Sequence, residues 1–202
     1  MLFRSALVTD TGGTKREIMR AAEALLPSPL AFVGGHPLAG PLTAGVDHPA
    51  ATVFQSTVYC LTPGRTTAEW AVGEAVELVE RLGATPRFMD ADEHDGLLAG
   101  ISHLPYFSAV ALLNAVATQS GWAEMSHMAA GGFRAATAPA DSEPGMWTDV
   151  AATNRENVVR QLDEYIEELS RLRKMISSGD EALSSELSRA HAARQAWLAN
   201  RT

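Results

Sequence analysis

The sequence predicts an α/β domain built on a parallel sheet, followed by an all-helical region. Two observations predict it. Short apolar runs suited to buried strands alternate with stretches of helical period as far as Asp90, the pattern of parallel sheets covered by helices. Beyond Asp90 no strand-like segment is found, and the chain closes on a coiled-coil-like apolar seam.

Each element has its own signal. Ala6-Leu7-Val8 reads as a short buried strand, and Thr9 to Lys15 as a turn. A helix follows from about Thr14 to Leu26, with Ile18, Ala21, Ala22 and Leu25 on its apolar face and Pro27 and Pro29 to stop it. Leu30 to Val33 is the next strand. Gly40, Pro41, Gly45 and Pro49 mark residues 40–55 as an irregular loop. Thr57 to Leu61 is a strand closed by Pro63 and Gly64, and Thr66-Thr67-Ala68-Glu69 matches a capping box. The helix it opens carries Trp70, Val72, Val76, Val79 and Leu82 and ends at Gly83, before a short strand at Arg87 to Met89.

A helix is expected from Asp92, kinked or restarted at Pro105, which cannot donate to the preceding turn, and then continuing through Val116. Gly131-Gly132 is expected to break the next helical stretch, and Pro139 to Gly145 to form a loop. Val158, Leu162, Tyr165, Leu169, Leu172 and Ile176 repeat at alternating steps of four and three. Ser177 to Asp180 turns the chain into a second amphipathic helix, antiparallel to the first.

Composition narrows the classes. The 202 residues suffice for one large domain or two small ones, and 46% hydrophobic content is that of a globular chain. The net charge is -8; residues 154–202 hold eight basic and eight acidic residues, so the acid excess lies before them. No basic patch suits a nucleic acid. No uninterrupted apolar run approaches the roughly 18 residues of a membrane span, and no signal peptide is read at Met1 to Ser5. The lone Cys60, in an apolar run, is expected to be a buried thiol, in keeping with a reducing cytoplasm.

Two stretches carry candidate chemistry. Phe32 to Gly40 runs from apolar residues through Gly34 and Gly35 to His36 and Pro37. A histidine where a strand stops, on stiff backbone, can present a base at the carboxyl edge of a parallel sheet, where α/β folds bind ligands. A surface histidine with a bonded ring fits the same residues. Thr9 to Lys15 has the form of a phosphate-binding turn but not the spacing of a Walker loop, which favours a tight strand-to-helix connection.

Three segments, in order and at their spacing, resemble the prephenate and arogenate dehydrogenases of tyrosine biosynthesis. They are Val8 to Lys15, Gly34 to Gly40, and Asp92-Glu93-His94-Asp95 leading to Ser102-His103-Leu104-Pro105. Gly131-Gly132-Phe133-Arg134 and Met146-Trp147 extend the match. The resemblance implies a Rossmann domain binding NAD or NADP, here about residues 1–90, and an α-helical substrate and dimerisation domain, about 91–202. It implies oxidative decarboxylation of a cyclic alcohol by a homodimer. It places the catalytic role on His36, and Ser102, His103 and Arg134 at the substrate, with Ser102 and His103 orienting the catalytic histidine. Thr11, Gly12, Gly35 and Pro37 fall beside the cofactor. No metal is implied. For His103 alone, a core histidine bonded to backbone fits equally well.

The chain also departs from that family. No Gly-x-Gly-x-x-Gly occurs in it, so the first half of the cofactor domain is expected to lie outside this sequence. Gly13 stands where the family usually has a serine, Tyr106 where a second histidine often follows, and Ala138 where an arginine grips a carboxylate. Three readings follow: a dehydrogenase with a truncated cofactor domain, a non-catalytic dimeric module of the same fold, or an oxidoreductase of that fold acting on a different cyclic alcohol.

Overall fold

The computed structural model describes residues 5–39 and 52–200. Four strands form one sheet in the order β1-β2-β3-β4: β1 Ala6–Thr9, β2 Leu30–Leu38, β3 Val58–Pro63 and β4 Thr85–Phe88. Helix α1, Arg16–Leu25, joins β1 to β2, and α2, Glu69–Arg81, joins β3 to β4. Both of those strand pairs are parallel, as a helical crossover requires.

The sheet is mostly parallel, as the expected α/β class requires, and departs from an all-parallel sheet at one pair. β2 and β3 run antiparallel, with Val33 opposite Pro63 and Leu38 opposite Val58. The sequence between them carries no helical period, and a parallel pairing would need a crossover connection, usually helical. Most of the loop expected over 40–55 lies outside the described residues; Thr52 to Ser56 form a turn.

β2 also runs further than the sequence suggests. It continues through Gly34, Gly35, His36 and Pro37, so His36 stands inside a strand and not beyond its end. β1 stops opposite Val33, which leaves the rest of β2 with a strand neighbour on one side only among the described residues. Proline tolerates such an edge, because its missing N–H faces no ladder.

The core of the sheet is Val33, Tyr59, Leu61 and Ala84 under Ala71, Ala75 and Val79 of α2. The spacing of four puts those small side chains on one face of α2. Val72, Val76 and Leu82 pack around it, and Trp70 is largely exposed. The expected capping box does not form. Thr67 Oγ1 instead accepts from Gly64 N–H and donates to the Phe32 carbonyl, and Ala68 precedes the helix without a side-chain cap. α2 ends as expected, with Gly83 in the left-handed region at φ 78°. On α1 the expected apolar face is mostly outward: Leu25 is 78% exposed, and the buried residues are Lys15 and Met19.

After β4 the described chain is helical: α3 Ala91–Leu98, α4 Leu104–Ala117, α5 Trp122–Met128, α6 Gly131–Thr137, α7 Pro144–Thr153, α8 Arg155–Ser178 and α9 Leu183–Ala199. Asp90 caps α3 by accepting from Glu93 N–H. The kink expected at Pro105 takes the form of a π-turn over Ala99–His103, in which Leu104 N–H reaches back to the Ala99 carbonyl. Residues Ala91–Ala117 thus form one 27-residue helix, long and apolar enough by length and composition to cross a membrane. Its buried His94, Asp95 and His103 tie it to the rest of the fold. Gly131 and Gly132 open α6 where a break was expected.

The chain divides into two compact units, residues 1–158 and 159–202, the division falling inside α8. In the second unit Gly179, at φ 65°, turns α8 into α9, and Arg171 pairs with Glu186 across the hairpin at 2.7 Å. Much of its apolar seam is uncovered in the single chain, with Leu169 48% and Ile176 65% exposed.

Candidate active site

Asp10, at the end of β1, gathers the turn around it. Its Oδ2 accepts from Lys15 Nζ at 2.5 Å and from Gly12 N–H at 2.8 Å, and its Oδ1 accepts from Gly35 N–H at 2.9 Å. Gly35 is glycine because a Cβ there would lie 2.4 Å from the Asp10 carbonyl oxygen. The glycines beside His36 thus admit Asp10 and Lys15. Lys15 is fully buried, and burial lowers its pKa against the pull of Asp10.

Asp95, in the first turns of α3, is the second hub. Its two oxygens accept from Lys15 N–H at 2.7 Å and Arg16 N–H at 3.0 Å, at the start of α1. The amides that a phosphate would need there are therefore held by a carboxylate, and the turn is a strand-to-helix connection. Asp95 Oδ1 also bonds His94 Nδ1 at 2.8 Å. Burial raises the Asp95 carboxyl, but hydrogen bonds from His94, Arg16 and Lys15 together hold it below the usual carboxylate range.

His94 Nε2 lies 2.9 Å from His36 Nδ1, the rings edge-on with centroids 5.1 Å apart. Asp95, His94 and His36 form one chain of contacts from a buried carboxylate to the edge of β2. Burial, helped by the charges of His94, Lys15 and His103, pushes His36 down to about 3, so its ring is neutral at physiological pH.

His103 is buried in the π-turn. Asn154 Nδ2 bonds the Asp95 carbonyl at 2.7 Å and His103 Nδ1 at 3.2 Å, and the ring also bonds the Gly13 backbone. Burial lowers its pKa to about 4. Trp147 stands edge-on to His103 and stacks on Tyr106 at 3.9 Å. Its Nε1, like Thr62 Oγ1, is buried without a hydrogen-bond partner among the described residues.

The structure therefore brings together His36, Gly35, Gly12 and the turn carrying Thr11, with His103 linked to Asp95 through Asn154. His103 does not bond His36; the group that does is His94. Ser102 is half-buried in the same π-turn, Thr11 is exposed, Pro37 is half-buried, and Arg134 is exposed on α6. Asp10, Lys15, His94, Asp95 and Asn154 were not assigned roles from the sequence. Their signal is polar residues at core spacing: Lys15 and Met19, His94 with Leu98, and Val150, Asn154 and Val158 at steps of four.

A four-stranded α/β sheet is followed by a run of helices, with buried histidines where the two meet, which defines the chain as an α/β domain joined to a helical one. Residues 1–87 match the family model for the prephenate dehydrogenase nucleotide-binding domain, and residues 90–189 match that for its dimerization domain. The chain belongs to the prephenate dehydrogenase family. It is 35% identical to a prephenate dehydrogenase of Bacillus subtilis (strain 168) over 86% of this chain and 47% of the relative. It is 34% identical to a cyclohexadienyl dehydrogenase of Zymomonas mobilis over 89% of this chain and 61% of the relative. Among solved structures, Aquifex aeolicus prephenate dehydrogenase in complex with hydroxyphenyl propionate and NAD+ superposes with a TM-score of 0.85. The identity is 29%, over 94% of this chain and 66% of that one. Synechocystis arogenate dehydrogenase gives a TM-score of 0.80 at 28% identity, over 95% and 69%. The chain spans about half to three-fifths of the length of these two curated relatives.

Proposed function

We propose that this chain carries the substrate-facing part of an NAD(P)-dependent dehydrogenase that oxidatively decarboxylates prephenate or arogenate. Residues 1–90 are then the C-terminal part of the nucleotide-binding domain, and 91–202 the substrate and dimerisation domain. A neutral His36, held from behind by His94 and set at a strand edge, supports the reading. Such a ring accepts a hydrogen bond from the substrate hydroxyl and takes its proton as the carbon beneath it is oxidised.

The residues present fit only one end of the cofactor. The amides at the start of α1 belong to Asp95, and those of Gly12 and Gly35 belong to Asp10, so no pyrophosphate cradle is left at this turn. The exposed Thr11-Gly12 rim and Pro37 are the groups that would border a nicotinamide. When bound, NAD or NADP supplies the hydride acceptor. The chain's own part is to orient the ring, hold the hydroxyl and move its proton. Loss of CO2 then makes the ring aromatic, and the phenolate oxygen recovers that proton.

The exposed seam of α8 and α9 supports a homodimer, since the apolar residues at heptad spacing await another helix. The relatives' biosynthetic roles favour the cytoplasm. A second reading, a non-catalytic dimeric module, draws on Gly13, Tyr106 and Ala138 in place of polar substrate contacts. The stacked Tyr106 and Trp147 make an aromatic wall there, with no carboxylate grip.

A chimera decides between them. The segment of the Bacillus subtilis relative that precedes the match is joined to this chain, and reduced nicotinamide is followed with prephenate and with arogenate. Turnover that falls about a thousandfold in His36→Ala is the expected result. A chimera that binds NAD+ but turns over neither substrate, or a His36→Ala variant as fast as its parent, sinks the dehydrogenase reading.

A further inference from the structure

Taking His36 as the group that meets the substrate hydroxyl, as proposed above, we infer that the proton it receives does not stay there. It passes through the ring to His94, which holds it against the Asp95 carboxylate.

The contacts fix the resting state. Asp95 accepts two backbone N–H groups and the His94 ring. An ionised carboxylate can only accept, so His94 carries a proton on Nδ1. Neutral His94 then offers a bare Nε2 to His36 Nδ1, 2.9 Å away. Two lone pairs cannot share that contact, so His36 is protonated on Nδ1. Its Nε2 is bare, on the side of the ring away from His94.

The transfer balances. The substrate O–H bond breaks, and its electron pair becomes the second carbonyl bond as hydride leaves the carbon for the oxidised nicotinamide. The proton joins His36 Nε2. The Nδ1–H bond of His36 breaks, and that proton joins His94 Nε2. His36 ends neutral in its other tautomer, and His94 ends as an imidazolium 2.8 Å from Asp95. When the ring aromatises, its oxygen takes the proton back from His36 Nε2 and both shifts reverse.

Surrounding charges favour this destination. Lys15 and His103 face His36, and Asp10, which also faces it, is bound to Lys15. A cation on His36 would stand desolvated beside another cation, and its low pKa of about 3 reflects that. A cation on His94 faces His103 and His36 as well, but it alone is in direct contact with a carboxylate, Asp95, at 2.8 Å. His94 is therefore a relay and positioning residue that never touches the substrate.

Nitrogen-15 NMR of the histidine-labelled 202-residue chain tests this, with each ring assigned from single His→Gln variants. At mildly alkaline pH His36 is expected to carry its proton on Nδ1. On acidification His94 should gain its second ring proton while His36 switches to Nε2–H, with one shared midpoint. His94→Gln keeps an acceptor for His36 and a donor for Asp95 but cannot take a proton. It should preserve the resting tautomer, abolish the switch and, in the chimera, lower kcat about a hundredfold with KM unchanged. A resting Nε2–H tautomer, a doubly protonated His36 beside an unchanged His94, or a switch that survives in His94→Gln would overturn the relay. The spectra need neither substrate nor cofactor. An intact switch in a chimera without turnover would remove the enzyme reading alone, and turnover without the switch would remove the relay alone.

Discussion

Two regions of this chain join carboxylates to cations, and they differ in what water can reach. At the junction of sheet and bundle, Asp10 and Asp95 hold Lys15, two amides at the start of α1, two glycine amides and a histidine, all buried or partly buried except the bond to Gly12. In the α8–α9 hairpin, Arg171 bonds Glu168 and Glu186, and Arg189 bonds Glu186, at the surface. The hairpin pairs look as good on distance, and they draw Arg171 up and both glutamates down. Yet solvent screens them, and each held side chain loses entropy. Around Asp95, where the bonds to Lys15 N–H and His94 are buried, a lost partner is not readily replaced by water, so the same kind of contact fixes geometry and stability together.

The sharpest way to break this contrast is Asp95→Ala. It strands the α1 amides and the His94 ring in the interior, and about 3–5 kcal/mol of unfolding free energy should be lost in urea denaturation. A loss no greater than that of a surface variant would mean that water enters the junction. Gly35→Ala should come next. Its Cβ meets the Asp10 carbonyl oxygen at 2.4 Å, backbone against backbone. A loss of roughly 1–3 kcal/mol is expected.

Acid should act in the same place. His103 is held down to about 4 and His36 to about 3, whereas both titrate near 6.5 in the unfolded chain, as ordinary histidines do. Between those values the unfolded chain binds protons that the folded chain refuses. Stability therefore falls as pH drops from about 6.5 towards 4, and Asp95 adds to the loss at still lower pH. His103→Asn should flatten the curve in that window, which denaturation at a series of pH values measures. The smallest effect belongs to the hairpin: Arg171→Ala should leave the thermal midpoint unchanged at physiological salt. A clear drop would show that the surface network matters more than its exposure allows.

The same contrast explains what could be read in advance. Alternating strands and helices, the stop at Gly83, the turn near Gly179 and the buried Cys60 follow from local periods and punctuation. The antiparallel pairing of β2 with β3 agrees with a connecting sequence that lacks helical period, a signal that the alternating pattern elsewhere masks. His36 was legible from its motif. Its partner was not, because His94 comes 58 positions later and meets it only through the fold. Asp95 is likewise 80 positions from the amide it accepts. The single hint is polar side chains at core spacing on α3, just past the end of α7 and just before α1, where an apolar residue would suit the core equally well.

His36 is proposed to receive the hydroxyl of a ring-bearing carboxylic acid, and calorimetry on the 202-residue chain tests this without cofactor or turnover. Hydroxyphenyl propionate should bind about tenfold more tightly than phenyl propionate, the value of one good hydrogen bond in a desolvated site. In His36→Leu that preference should vanish while phenyl propionate still binds. Equal affinities in the parent, or a preference that outlives His36, would contradict the account.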